Sequence, residues 1–199
     1  MIENCNFTVT TRRRRQVLAN EIRIIGGQWR GRRLRLPRVA GLRPTPDRVR
    51  ETLFNWLGQD LTGRRTLDAF AGSGALSFEA LSRGAMRAVA VEHNRELFRA
   101  LIDGARALGA SAFEAHCADA LDFFARETRL FDVVLLDPPF TRPRWESLLP
   151  LAAARLAPGG FLYVEAPSPI AAPQGLEIWR QDKAGKVHYH LLRHAGRAE

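Results

Sequence analysis

Cysteine and lysine are the scarce residues of this chain. Its 199 residues hold two cysteines, Cys5 and Cys117. They are too few and too far apart for a disulfide framework or a cysteine-rich zinc site. A reducing compartment, the cytoplasm, is therefore the expected location. No run of eighteen apolar residues occurs, which excludes an obvious membrane-spanning helix. The opening stretch MIENCNFTVTTRRRR lacks the apolar core of a secretion signal. The five histidines (His93, His116, His188, His190 and His194) follow no metal or triad spacing, so no metal is expected. There is no internal repeat, and nothing in the sequence requires a dimer; a monomer is expected.

Lysine is confined to Lys183 and Lys186, so the other members of the 30 basic residues are arginines. Their distribution is uneven. The first 50 residues carry 13 arginines against Glu3, Glu21 and Asp47, whereas the remainder is close to neutral. Arginine makes bidentate contacts with phosphate and stacks on planar rings. An arginine block ahead of a near-neutral body therefore suits a polyanion that carries bases. For Arg12 to Arg15 alone, a solvated basic tail explains the run equally well.

The order of elements predicts an α/β fold. Residues 1–21 read as a loosely attached leader, residues 22–45 as a basic β-hairpin extension, and residues 46–199 as the main domain. Arg23-Ile24-Ile25 and Arg33 to Leu36 flank Gly26-Gly27 as a short hairpin would. A helix follows Pro44 and Pro46, with Val49, Leu53, Phe54 and Leu57 on one face and Arg48 and Arg50 off it. Strands are then expected over 66–70, 88–92, 111–117, 131–136 and 161–165. Helices are expected over 75–83, 95–108, 120–126 and 144–156, the last stopped by Pro158-Gly159-Gly160. Two closing strands, 176–180 and 187–192, surround a turn at 183–186. This alternation predicts a Rossmann-like, mostly parallel seven-stranded sheet with helices on both faces and a C-terminal antiparallel hairpin.

Two motifs carry the chemistry. In LDAFAGSGALSFEA, a strand enters Asp68-Ala69-Phe70-Ala71, and Gly72-Ser73-Gly74 turns it into a helix. A helix N-terminus beside glycine favours close approach of a ligand. Glu92 ends the next strand, where an acid binds ribose hydroxyls. A dinucleotide fingerprint would need glycine where Ser77 stands, and the carboxylate of Asp68 would repel a pyrophosphate. S-adenosylmethionine, with an ammonium, a ribose and an adenine but no phosphate, fits better. The cofactor set is then Asp68, Ala69, Phe70, Gly72, Ser73 and Gly74, followed by Glu92, His93 and Asn94, and finally Asp119 and Ala120. Asp119 suits either the adenine amino group or the N-cap of the next helix.

The second motif is LLDPPF, residues 135–140. An acid and two prolines end an apolar strand, and prolines cannot donate to a sheet ladder. An exocyclic amino group on a base is a poor nucleophile. Asp137 and the Pro138 carbonyl can accept its two hydrogens and turn its lone pair outward. Pro138 and Pro139 stiffen the loop, and Phe140 offers a stacking face for an extruded base. Asp-Pro is also an ordinary turn initiator, so the motif gains meaning only beside the glycine turn. These residues fit a methyltransferase acting on the amino group of a planar substrate, which the arginine block narrows to a nucleic acid. A DNA amino methyltransferase would share the motif but would need more chain for target recognition. A nonenzymatic ribosome-assembly factor would have no use for Asp68, Gly72, Glu92 and Asp137 together.

The segments RIIGGQWRGRRLRLP, GLRPTPDRVRETLFNWL, LDAFAGSGALSFEALSRGA, LLDPPF and KAGKVHYHLLR together resemble the RsmD family of small-subunit rRNA guanine-N2 methyltransferases, over roughly residues 22–193. The resemblance implies a guanine in 16S rRNA as substrate, free or in the small ribosomal subunit, and S-adenosylmethionine as methyl donor. It places catalysis on Asp137, Pro138, Pro139 and Phe140. It places RNA contacts on Arg23, Gln28, Trp29, Arg30, Arg32 and Arg33, with Arg43, Thr45 and Arg48 closing over the site. Ser77 and Pro46 depart from the pattern expected of the family, which bears on packing rather than chemistry.

Overall fold

The computed structural model describes residues 21–39, 42, 44–140 and 145–195. The leader, apart from Glu21, and Arg43 lie outside them. A hairpin of β1 (Glu21–Arg23) and β2 (Arg33–Arg35) comes first, then α1 (Asp47–Leu57). There follow β3 (Arg65–Asp68), α2 (Ala75–Ser82), β4 (Arg87–Val91), α3 (Arg95–Leu108), β5 (Phe113–His116) and α4 (Ala120–Arg126). The chain continues through β6 (Phe131–Leu136), α5 (Trp145–Ala153) and β7 (Leu156–Ala166), and closes with β8 (Leu176–Ala184) and β9 (Val187–His194). The large sheet has seven strands in the order β5-β4-β3-β6-β7-β9-β8. The pairings from β5 to β7 are parallel, and β9 runs antiparallel to both β7 and β8.

Both sheet faces are covered, which explains why β6 reads as a nearly unbroken apolar run. On one face Leu67, Val134, Leu136, Leu162 and Val164 meet Phe123 and Phe124 of α4 and Leu148 of α5. On the other, Val133, Leu135, Tyr163, Tyr189 and Leu191 meet Val49, Leu53 and Phe54 of α1 and Leu76 and Ala80 of α2. Each large side chain so buried stabilises the fold by about 1.5–3 kcal/mol. The hairpin adds a third cluster, in which Ile22, Ile24 and Leu34 pack on Phe78 of α2 and Leu101 of α3.

Three expectations change. The predicted 144–156 helix ends at Ala153, and β7 starts at Leu156, so Pro158-Gly159-Gly160 lies inside a strand. The register explains this: Phe131 faces Leu156 but Val133 faces Phe161, so the extra residues of β7 bulge there. A side chain at Gly160 would lie 3.1 Å from the carbonyls of Phe131 and Asp132. Secondly, Arg50 is only 2% exposed, although Arg48 stands in solvent as expected. Thirdly, the first strand ends at Asp68, so Ala69 and Phe70 belong to the turn. Among the described residues, no helix is long and apolar enough to cross a membrane, and no group of acids, histidines or cysteines is placed to hold a metal ion.

Candidate active site

The chain runs from β3 outward to β5, then returns to β6 on the opposite side of β3. The tips of β3 and β6 therefore flank a topological switch point, the place where open α/β sheets bind ligands. Side chains alternate along a strand, and parallel register keeps partners on one face. Asp68 pairs with Leu135, and Leu135 pairs with Tyr163. One step of the alternation beyond Leu135 and Tyr163 come Asp137 and Glu165. Three acids thus gather at adjacent strand tips on the face covered by α1.

Little compensates their charge. Asp68 is 2% exposed; its Oδ2 accepts from the Ser77 hydroxyl at 2.7 Å, and its Oδ1 is buried without a hydrogen-bond partner. Burial pushes its carboxyl up to about 6 despite the Ser77 bond. Glu165 accepts from the Tyr163 hydroxyl at 2.9 Å, and burial pushes it up to about 7. Asp137 is partly buried as a residue, and its carboxyl is held well above the usual carboxylate range, first by desolvation and then by the charges of Glu165 and Asp68. Thr45 Oγ1 lies 3.5 Å from Asp137 Oδ2, and the same hydroxyl also faces Glu165. Pro138 is buried, Pro139 exposed and Phe140 partly buried at the mouth of this cluster.

The glycine turn is pinned from the next strand. Glu92 accepts from the Gly72 amide at 2.9 Å and the Asn94 amide at 2.7 Å, and His93 lies exposed 3.3 Å away. A side chain at Gly74, where φ is +76°, would meet Leu101 and Phe78 within 2.6 Å. Gly74 is thus demanded by packing, whereas Gly72, at φ +50°, has only Leu42 at 3.5 Å and the Phe70 carbonyl at 3.8 Å nearby. Ser73 is buried and accepts from the Ala75 amide. Asn94 spends its side-chain oxygen as the N-cap of α3. Asp119 caps α4 through Oδ1, accepting from Leu121 at 2.8 Å ahead of buried Ala120. Beside it, a cavity of about 270 Å³ is lined by His116, Ala118 and Phe123.

A second charged cluster sits just behind Thr45. Buried Arg50 donates to the Thr45 carbonyl at 3.2 Å, to the Arg23 carbonyl at 2.9 Å, to Glu79 at 3.2 Å and to Asp47 at 2.5 Å. Fully buried Glu79 also accepts from the Ile25 amide and from Arg83, each at 2.9 Å. The reading from sequence missed Arg50, Glu79, Glu165 and Tyr163, and treated Ser77 only as a departure. Glu165 obeys the rule that singled out Asp68 and Asp137, an acid at the tip of a buried strand. Arg50 left no such signal, because its partner Glu79 is far away in the chain.

The RNA-contact residues divide. Arg23 pairs with Asp47 at 2.8 Å, Arg33 with Glu21 at 3.4 Å, and Arg32 donates to the Ala107 carbonyl at 2.6 Å. Gln28 and Trp29 dock on the end of α2 through Ser82, and Trp29 is partly buried against two core clusters rather than presented to solvent. Arg48 reaches the Lys183 carbonyl at 3.5 Å. Arg30 is exposed, with no side-chain partner among the described residues. Between the hairpin and α1, a cavity of about 350 Å³ is lined by Arg23, Arg33, Thr45, Asp47 and Arg50, so it adjoins Thr45 and through it Asp137.

A glycine turn held by the acid of the next strand, with Asp-Pro-Pro-Phe across the switch point, defines the Rossmann-like methyltransferase class. The family model described as "Conserved hypothetical protein 95" matches residues 22–193, and the chain belongs to that family, the RsmD family. It is 41% identical over 186 residues to ribosomal RNA small subunit methyltransferase D of Escherichia coli K12, spanning 91% of this chain and 94% of the relative. It is 39% identical to the protein of the same name from Haemophilus influenzae, over 86% of this chain and 93% of the relative. The solved structure of yhhF from Escherichia coli superposes with a TM-score of 0.81 at 41% identity, covering 89% of this chain and all of that one. The protein is thus a methyltransferase by family and by fold.

Proposed function

We propose that the protein transfers a methyl group from S-adenosylmethionine to the exocyclic N2 amino group of a guanine in 16S rRNA. The observation that carries this reading is Asp137-Pro138-Pro139-Phe140 at the switch point, across from the glycine turn. When bound, S-adenosylmethionine supplies a methyl group activated by its sulfonium. The residues present suit it. The unpartnered oxygen of buried Asp68 is an acceptor awaiting a cation, and an ammonium there would draw its raised pKa back down. Glu92 would take the ribose hydroxyls, and Asp119 with the cavity beside Phe123 would take the adenine.

The chain's own work is positioning. Asp137 and the Pro138 carbonyl accept the two amino hydrogens and localise the nitrogen lone pair. The two prolines remove loop freedom in advance, so no reorganisation is needed at reaction. Phe140 stacks on the extruded base. Orientation of this kind supplies roughly 7–11 kcal/mol in well-aligned systems. The hairpin with residues 22–45 serves as the RNA grip, with Arg30 among its exposed charges. The test is transfer of labelled methyl to 16S rRNA or small subunits, with duplex DNA as competitor. Label is expected in the rRNA; label in DNA alone overturns the reading.

A further inference from the structure

The mechanism above uses one of the three acids at the strand tips as catalyst and one for the cofactor, and leaves Glu165 without work. Its place is unusual. Glu165 follows Val164, which pairs with Leu136, so it stands beside Asp137 on the next strand, and it is 4% exposed. Among the described residues no basic side chain pairs with it. It accepts from the Tyr163 hydroxyl at 2.9 Å and faces the Thr45 hydroxyl, which also reaches Asp137. Arg50, the one buried cation nearby, spends its donors on Glu79, Asp47 and two backbone carbonyls.

Resting on the proposed methyl transfer, we infer that Glu165 is a positioning residue that forms with Asp137, bridged by Thr45, a carboxyl pair that holds one proton between its two members. Two enclosed carboxylates in adjacent register, with no cation between them, do not both ionise near neutrality. The raised proton affinity of both groups agrees with this geometry. The charged and titratable groups around the pair come from every element packed on it. They are Asp68 from β3, Thr45 and Arg50 from the start of α1, Tyr163 from β7 and Tyr189 from β9. His190 belongs to the other sheet face, because it pairs with Val164.

While the pair is fully ionised, the charge of Glu165 gives Asp137 a basicity that an isolated strand-tip aspartate lacks, and the one proton the pair then takes up comes from the substrate. Once the amino nitrogen has formed its new bond to carbon, it carries one proton too many. That N–H bond breaks with its electrons left on nitrogen, and an O–H bond forms on the pair. The proton then passes to water after the product leaves, and no further reactant is needed.

The test is Glu165→Gln, nearly isosteric, with two readouts. In the first, the rate of methyl transfer to small subunits is followed against pH. Removing the neighbouring negative charge lowers the proton affinity of Asp137, so the acidic limb moves to lower pH by about one unit, and the plateau rate falls roughly 3- to 10-fold. An unmoved limb with an unchanged plateau rate overturns the inference. The second readout needs neither cofactor nor RNA: carboxyl carbons of the free protein are titrated by NMR. Two carboxyls that titrate in linked steps in the wild type, reduced to one step at lower pH in Glu165→Gln, support the pair. Independent titration in the wild type overturns it. A wild type without transfer to rRNA but with the linked titration sinks the rRNA reading alone.

Discussion

Two buried charged clusters share one threonine, and they are built on opposite plans. Around Arg50, one cation meets two carboxylates and two backbone carbonyls, and Glu79 meets two arginines and an amide. Around Asp137, three acids meet hydroxyls and, among the described residues, no cation. Thr45 joins them, its carbonyl accepting from Arg50 and its hydroxyl facing Asp137. The first plan satisfies every charge and fixes the hairpin, α1 and α2 relative to one another. The second leaves proton and cation affinity unspent, which is what a ligand site requires. Burial of charge alone therefore does not mark function; burial without compensation does.

The contrast can be broken from either side. Asp137→Ala should give the largest effect, a fall in methyl transfer of about 10³-fold with little change in stability, measured by single-turnover rates and thermal melts. Equal losses in stability and rate would erase the distinction between the clusters. Arg50→Met should do the reverse and destabilise by about 3–5 kcal/mol in denaturant titrations, since Glu79 and Asp47 are left buried or half-buried with fewer partners.

Asp68→Asn separates the two plans more finely. Cofactor affinity should fall by about 1.5–3 kcal/mol in calorimetry, because the charged acceptor is gone. Stability should respond with the opposite sign. A carboxyl raised to about 6 in the fold binds its proton more tightly than in the unfolded chain. Its contribution is therefore fully present below about pH 4 and lost as the pH rises through 6. The variant should show a shallower decline between pH 4 and 7. Glu114 is the control: Arg129 holds it down at about 2, so its contribution is lost only as pH falls from the ordinary carboxylate range through 2. The smallest effect belongs to the hairpin surface. Arg30→Ala should lower RNA affinity a few-fold and reduce the salt slope by about one, as one phosphate contact would. Arg32→Ala, which removes a bond to the end of α3, should show up first as lost stability.

Most of the architecture was legible because local signals agreed with the global fold. The apolar runs of β4 and β6 and the glycine turn each pointed one way. The bulge at Pro158-Gly159-Gly160 was not, because proline and glycine break helices and fill bulges alike. In the site, Asp68, Glu92 and Asp137 were visible because each ends a strand beside a recognisable motif, whereas Glu165 ends a strand with no motif after it. Arg50 was read as solvent-facing because a helical wheel sees only its own helix. Its burial is decided by Glu79, which docks from α2. Ser77, a mild departure by pattern, became the hydroxyl that holds Asp68.

The hairpin has a consequence for the order in which the molecule assembles. β1 and β2 share three residue pairs, too few to persist alone. Its turn instead leans on residues more than fifty positions later: the Gln28 amide reaches the Ser82 carbonyl at 2.7 Å, and a side chain at Gly27 would lie 1.8 Å from that same oxygen. A contact so close and so distant in sequence forms only once α2 is finished. Translation at about 5–20 residues per second leaves an interval of several seconds between hairpin and anchor. The arginine-rich arm is thus made before the helix that anchors it and folds only after that helix. In hydrogen exchange it should open as its own unit before the sheet does.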